Sequence, residues 1–350
     1  MSGQPGFHRK AALFDLKSET DALADFHQEW TGSTVGVVYG PKSLEDRLYL
    51  ERSPRSQLGF TALMETLSSL GFHAIQVDPT AGSFESDVRR PDLLFLNLHG
   101  EFGEDGRLQG LLDYLGRPYT GSGVLASALC LDKVMFKRVI SSADILTPSY
   151  ATTEGEPPVT GINAVPLNAL RFPGIAKPIS GGSSIGIRLI RDRAAADWLL
   201  HENDSEYGTM FIEEFIEGRP LTVGVIEFEH SIIATPPVEV VHAAQFYDEE
   251  TKLDENAKGL ARYLMPTLPA ESDEQIRATA LKMHSLLGCA GYSRADFILA
   301  EDGTVYALEV NTSPGVAYNS NFPAGTQALG LSYEQTILAM LRSCLWKTGT

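Results

Sequence analysis

Tyr292-Ser-Arg-Ala-Asp-Phe-Ile-Leu-Ala-Glu-Asp-Gly-Thr-Val-Tyr-Ala-Leu-Glu-Val-Asn311 is the stretch on which the reading of this chain turns. Asp302-Gly303 lies between two apolar, alternating runs, the short-range signature of a two-residue hairpin turn. Folding about that turn pairs Asp296 with Glu309 and Arg294 with Asn311, because the members of each pair are equidistant from it. Successive side chains on a strand point to opposite faces, so residues two apart share one. The four polar side chains then form one cluster, and Phe297, Leu299, Tyr306, Leu308 and Val310 fill the opposite face. Two carboxylates and a carboxamide beside an arginine make an oxygen-rich site for a hard cation such as magnesium. A single Asp/Arg pair would read as a solvated face with a surface ion pair, which is common and contributes little. Four polar groups in register, followed at once by Asn311-Thr-Ser-Pro-Gly315, go beyond that reading.

At 350 residues the chain exceeds what one hydrophobic core usually organises, so two or three domains are expected. Its 28 basic and 45 acidic residues give a formal charge of −17. Phosphate backbones and anionic membranes reward positive charge, which disfavours both as general partners. A nucleotide needs only a local pocket of lysines and is not excluded. Cys130, Cys289 and Cys344 are few, far apart and without metal-ligand spacing. Cys130 and Cys289 read as small buried hydrophobes, and a reducing, cytoplasmic compartment is expected. The N-terminus lacks an apolar leader, and no stretch approaches the roughly 20 apolar residues of a membrane span.

Residues 1–33 are polar and mixed, and read as an N-terminal extension with a short helix around 15–29. Residues 35–39, 74–77 and 93–98 are short apolar strands, with helical spacing over 56–70 that stops at Gly71. This opening suggests an open, mostly parallel sheet, where ligands bind beyond the carboxyl ends of the strands. The loop at the first such end, Gly40-Pro-Lys-Ser-Leu-Glu45, is not G-x-G-x-x-G, so a dinucleotide-binding site is rejected. His99-Gly-Glu-Phe-Gly-Glu-Asp-Gly106 follows another strand end, with helices expected over 108–115, 122–131 and 132–142. Residues 153–169 form a long connection to a second block of strands at 174–178, 185–190, 210–216 and 222–227, with a helix at 194–201. Residues 240–265 are polar and contain Phe246-Tyr-Asp-Glu-Glu-Thr-Lys252, read as a mobile loop. Helices over 271–287 and 332–346 flank the hairpin.

Lys177-Pro-Ile-Ser-Gly-Gly-Ser-Ser-Ile-Gly186 ends one strand with a lysine and enters the next through a Gly/Ser loop. Glycines let backbone wrap closely around an anion, and amides with serine hydroxyls donate to phosphate oxygens. It is not a Walker motif, and alone it reads equally well as a plain hairpin loop. Lys133 at a helix start and the strand Ile212-Glu-Glu-Phe-Ile216 are similarly open to a structural reading.

Read in order, however, the motifs resemble one family. They are His99-Gly-x-x-Gly-Glu-Asp-Gly, Tyr119-Thr-Gly-Ser-Gly123, Asp132-Lys133, Lys177-Pro, Gly182-Ser-Ser-Ile-Gly186, Glu213-Glu-Phe-Ile-x-Gly218, Arg294-x-Asp296 and Glu309-x-Asn-Thr-x-Pro-Gly315. From about residue 34 onward the chain is similar to the D-alanine–D-alanine ligases, a branch of the ATP-grasp superfamily. The resemblance implies an α/β chain: a Rossmann-like N-terminal domain over 34–121, then a two-lobed α+β ATP-grasp fold. The central ATP-binding lobe spans 122–213 and the C-terminal lobe 214–350, with 1–33 as an extension.

The implied activity is carboxylate–amine ligation through an acyl phosphate, with ATP and two magnesium ions as cofactors and manganese as an alternative metal. Small amino acids are the implied partners, with neither nucleic acid nor membrane, and a homodimer is the family expectation. By resemblance, Asp296, Glu309 and Asn311 hold the metal. Lys133, Lys177, Ser184, Glu213, Glu214, Phe215, Ile216, Phe246 and Lys252 meet the nucleotide, with Lys252 reaching its γ-phosphate. Arg294 and the Gly315 amide stabilise the tetrahedral oxyanion. Glu45 binds the first amino acid's ammonium, with His99 near its side chain, and Ser320 holds the second substrate's carboxylate. Ser183 would belong to a hydroxyl latch linking the mobile loop to Glu45. Departures accompany the match: Leu253 replaces the latch tyrosine, Pro220 a ribose-binding glutamate, Asn321 a leucine beside the second substrate, and Pro41 a glycine. Three readings follow: a D-alanine–D-alanine ligase, a specialised-metabolism relative taking a serine- or threonine-like amine, or a non-catalytic ATP-binding regulator. Retention of the three metal residues and Arg294 argues against the last, since a sensor has no need of an oxyanion donor.

Overall fold

A computed structural model describes residues 14–52, 59–152, 163–182, 185–201, 207–241 and 262–347. Ser183, Ser184, Phe246, Lys252 and Leu253 lie outside the described residues. In chain order the N-terminal elements are α1 (Leu16–Trp30), β1 (Thr34–Val38), α2 (Leu44–Arg52), α3 (Gly59–Ser69), β2 (His73–Val77), α4 (Phe84–Asp87), β3 (Leu93–Leu96) and α5 (Arg107–Tyr114). Next come α6 (Val124–Leu131), α7 (Lys133–Ser141), β4 (Tyr150–Thr152), β5 (Gly174–Pro178), β6 (Arg188–Ile190), α8 (Arg193–His201) and β7 (Met210–Glu214). The remainder are β8 (Gly218–Glu227), β9 (Ile232–Ala234), β10 (Val238–Val241), β11 (Arg262–Leu264), α9 (Ala270–Leu286), β12 (Tyr292–Ala300), β13 (Val305–Asn311), α10 (Asn321–Ala328) and α11 (Tyr333–Arg342). Among the described residues no helix is long and apolar enough to cross a membrane.

β1 runs parallel to β2 on one side and β3 on the other, which is why Val35–Val38 is a continuous buried run rather than an alternating one. α1 begins at Asp15, whose carboxylate accepts from the Lys17 amide at 3.1 Å and satisfies one of the free donors of the helix start. The extension expected over 1–33 is not a separate arm where it is described. Leu23 and Phe26 of α1 are buried in one cluster with Val35, Val37, Leu63, Ile337 and Leu341. Glu19, also buried on α1, accepts from the Ser231 hydroxyl at 2.7 Å and so ties this domain to the β8–β9 connection.

Two antiparallel sheets follow. One is four-stranded in the order β4-β7-β5-β6, backed by α8 through Ala196, Leu199 and Leu200. The other runs β11-β10-β8-β12-β13 with β9 beside β8, and one of its faces is covered by α6, α7 and α9. Residues 240–265, expected as loop, thus contribute the ends of two paired strands, since Val241 pairs with Arg262. α2 was likewise not anticipated. Its start is a capping box, in which the Ser43 hydroxyl accepts from the Asp46 amide at 2.9 Å.

The hairpin β12–β13 has the expected polar pairing by an unexpected route. The loop holds three residues, Glu301–Gly303, closed by the Ala300 amide donating to the Thr304 carbonyl at 2.9 Å. Gly303 takes φ +87°, the left-handed conformation that closes such loops. Leu299 therefore pairs with Val305 and Phe297 with Ala307, one residue out of the predicted register. A β-bulge between Asp296 and Phe297, with Leu308 as the extra residue, restores it: Asp296 pairs with Glu309 and Arg294 with Asn311. The two offsets cancel. The apolar face is corrected accordingly. Val305 and Ala307 join Phe297, Leu299 and Val310 in the core, whereas Tyr306 and Leu308 do not.

Phe26 is 4% exposed. If α1 is part of the N-terminal core, Phe26→Ala lowers unfolding free energy by about 3–5 kcal/mol in urea titration. A loss below about 0.5 kcal/mol would show the helix to be a dispensable extension.

Candidate active site

The four-stranded sheet and the uncovered face of the C-terminal sheet enclose a cavity of about 420 Å³. Around it the structure brings together His99, Lys133, Lys177, Glu213, Glu214, Phe215, Ile216, Arg294, Asp296, Glu309, Asn311, Gly315, Ser320 and Asn321. His99 and Asn321, 222 positions apart in sequence, thus meet in one site. Sequence patterning missed several of its walls. Leu308 and Ile298 line it because the bulge turns Leu308 out of the core, and Tyr49, Ile175, Glu104 and Tyr263 line it as well.

At the hairpin end, Arg294 donates through Nε to Asp296 Oδ1 at 2.9 Å and through Nη2 to Oδ2 at 2.7 Å. Glu309 lies 3.9 Å from the same guanidinium and 3.5 Å from Lys133 Nζ. Burial opposes the Arg294 charge, but Asp296 and then Glu309 outweigh it and hold the group firmly protonated. Asn311 Oδ1 accepts from the Ser313 amide at 2.6 Å, fixing the carboxamide at the strand end. Among the described residues no three His, Cys, Asp or Glu side chains converge as a metal site. The donor set here is instead two carboxylates and a carboxamide in register, each carboxylate facing a cationic side chain. Such hard oxygens suit magnesium, which takes few protein ligands and relies on phosphate oxygens for the rest.

In the middle of the cleft, Lys177 pairs with Glu213 Oε1, and Lys137 lies 2.8 Å from Glu213 Oε2. Burial alone would raise the Glu213 pKa, but Lys137 and then Lys177 overcome it and hold the carboxylate ionised. Glu213, expected to meet adenine, thus has its carboxylate engaged by two ammonium groups. Lys137 was not anticipated. Its signal was a lysine on the buried stripe of α7, between Phe136 and Ile140.

At the far end, the α2 capping box sets Glu45 and Asp46 in the first helical turn. The Glu45 carboxylate accepts from the Gly182 amide and lies against Gly100, where an added Cβ would come within 1.8 Å of it. Asp46 Oδ1 accepts from the His99 amide at 3.0 Å and lies 3.1 Å from His99 Nδ1. Burial works against a charged His99, but the hydrogen bond and charge of Asp46 prevail and push it up to about 9. Glu104 accepts from the Gly100 amide at 2.6 Å. Its burial, with a smaller contribution from Glu45, pushes its pKa up to about 7. Among the described residues Glu45 Oε2 and Glu104 Oε1 are buried without a hydrogen-bond partner; Glu104 lines the cavity, whereas Glu45 does not. Ser320 caps α10 without spending its hydroxyl on the cap, and that hydroxyl lies beside Gly315.

A histidine pKa raised in the fold stabilises below the unfolded value near 6.5, and the gain is lost as pH climbs through about 9. Proton NMR titration should therefore find the His99 ring titrating near pH 9 in the wild type and below about 7 in Asp46→Asn. A wild-type midpoint near 6.5 would contradict the Asp46 pairing.

The chain is similar to known proteins over both of its halves. The family profiles described as D-ala D-ala ligase N-terminus and D-ala D-ala ligase C-terminus match residues 52–122 and 140–342. The D-alanine–D-alanine ligase of Cupriavidus taiwanensis is 37% identical over 312 residues, covering 88% of this chain and 90% of its own. That of Geotalea uraniireducens is 32% identical over 317 residues, covering 89% and 96%. A crystal structure of the Bacillus anthracis D-alanine–D-alanine ligase matches with a TM-score of 0.74 at 27% identity, covering 91% of this chain and 99% of that one. The same enzyme complexed with ATP gives 0.72 at 25% identity with the same coverage. With both halves of the chain matched and the motif residues gathered in one cleft, the chain belongs to the D-alanine–D-alanine ligase family of ATP-dependent, carbon–nitrogen bond-forming ligases.

Proposed function

We propose that this cleft joins the carboxylate of one amino acid to the amine of a second through an acyl phosphate, with D-alanine as the reference substrate at both positions. The observation that carries the reading is the compensated ring of Arg294, Asp296, Glu309 and Lys133 at one end of the cavity that Lys177 and Ser320 also line. Phosphoryl transfer asks a protein chiefly for positioning and charge compensation, and this ring supplies both. Lys133 and Lys177 would face the nucleotide phosphates, while Phe215, Ile216 and Leu308 offer apolar surface to the base.

The first substrate's ammonium would meet Glu104, which lines the cavity beside His99, with the Glu45 carboxylate held against Gly100 and Gly182 next to it. The substrate's own carboxylate would then point toward the hairpin, where Arg294 and the Gly315 amide are donors for the oxyanion formed when the amine attacks. The Ser320 hydroxyl at the start of α10 suits the second substrate's carboxylate, a helix N-terminus being favourable for negative charge. Asp296, Glu309 and Asn311 would hold magnesium. When bound, that ion offsets charge on the transferring phosphoryl group.

ATP consumption should yield ADP and phosphate, together with an amide product, when assayed against paired D- and L-amino acids. AMP with pyrophosphate would refute the acyl phosphate. Glu309→Gln should reduce turnover at least about a hundredfold while the fold persists, because metal charge compensation contributes several kcal/mol of barrier. Near-normal turnover in that variant would sink the metal assignment.

Asn321 favours a second reading of the acceptor. It lines the cavity directly after Ser320, and a carboxamide left unpaired by a bound substrate costs about 1–3 kcal/mol. A serine- or threonine-like amine could satisfy it. Comparing kcat/KM for D-alanine and D-serine in the wild type and Asn321→Leu decides between the readings. D-Serine preferred by the wild type but not the variant supports the polar acceptor; D-alanine preferred by both supports the plain dipeptide.

A further inference from the structure

Lys137 is 0% exposed and does not line the cleft, so it cannot touch a ligand there. Its ammonium donates to Thr147 Oγ1 at 2.6 Å and to the Pro148 carbonyl at 3.2 Å, and forms an ion pair with Glu213 Oε2 at 2.8 Å. Burial pulls the Lys137 pKa down and the adjoining Glu213 carboxylate opposes that, so its charge rests on the Glu213 pair. The packing does not ask for a charge. Lys137 occupies an apolar position of α7 between Phe136 and Ile140, where leucine or methionine would fill the same space without the cost of burying a charge.

What the charge changes is the balance around Glu213. Without Lys137, Glu213 and Lys177 would form a neutral pair, and the cleft-lining lysine would present little net field to a ligand. With it, two ammonium groups share one carboxylate, and the trio carries one net positive charge at the wall of the cavity. Interactions of this kind are strong where water is excluded. We propose that Lys137 is a positioning residue for the nucleotide: it occupies half of Glu213, so that Lys177 keeps its charge available to phosphate. The proposal rests on the cleft being a nucleotide site.

Isothermal titration calorimetry of ATP and of adenosine, in magnesium buffer, tests it on the wild type, Lys137→Met and Lys137→Met/Glu213→Gln. Lys137→Met should weaken ATP at least about tenfold and leave adenosine within about twofold, because only the phosphates feel the lost charge. Removing the Glu213 charge in the double variant frees Lys177 again, so ATP should bind about threefold or more tighter than to the single variant. A merely structural role predicts the opposite pattern: equal losses for ATP and adenosine, and a double variant no better than the single. Either of those results overturns the proposal, as does ATP affinity unchanged in Lys137→Met. Should Lys137→Met not fold, Lys137→Gln, whose amide can keep a bond to Thr147 or Pro148, takes its place with the same expectations. Failure of the wild type to bind ATP would overturn the nucleotide reading and this proposal together. Wild-type binding with an unaffected variant overturns the proposal alone.

Discussion

The pairing of Asp296 with Glu309 across β12 and β13 is the constraint on which the cleft depends. Two half-buried carboxylates side by side repel unless cations intervene. Arg294 and Lys133 provide those cations from different parts of the fold, one from the same strand and one from the start of α7. Charge compensation at the hairpin is therefore complete only when α7 is docked against the sheet. That docking is apolar: Phe136 and Ile140 of α7 pack with Val223, Phe297 and Val310. Core packing and site electrostatics thus depend on the same helix, whose one face holds the sheet while its first residue reaches the cleft.

The same economy recurs at the other walls. Glu213 sits on β7 between β4 and β5, and its carboxylate gathers Lys177 from β5 and Lys137 from α7. The first turn of α2 turns Glu45 toward the Gly181–Gly182 backbone, while the neighbouring Asp46 holds His99. Two of these contacts join different lobes, Lys133 to Glu309 and the Gly182 amide to Glu45, whereas Glu213 and its two lysines lie within the central lobe.

How much of this was legible in the sequence varies with the range of the interaction. The hairpin's polar quartet could be read because pairing across a short loop is local. Its success was partly fortuitous, since the three-residue loop and the bulge at Leu308 introduce opposite offsets that cancel only beyond Phe297. Alternation could not distinguish an apolar residue facing the core from one facing an apolar cleft, so Tyr306 and Leu308 were assigned to the wrong side. Lys137 was passed over because its partner, Glu213, lies 76 positions away, and nothing local distinguishes a buried lysine from a solvated one. α1 read as an extension because its buried face is narrow: Leu23 and Phe26 with the paired Glu19. Glu104 sits within a recognised motif, but its perturbed carboxyl arises from burial beside Glu45, which only the tertiary fold creates.

If the hairpin carboxylates hold divalent metal on the nucleotide's phosphates, their loss must release metal without releasing nucleotide. Equilibrium dialysis with Mn2+ and a non-hydrolysable ATP analogue measures this directly, as metal bound per nucleotide-loaded chain. The wild type should retain metal with the analogue, and Glu309→Gln should lose part of that metal while still binding the analogue. An unchanged ratio of metal to nucleotide in the variant would contradict the metal assignment.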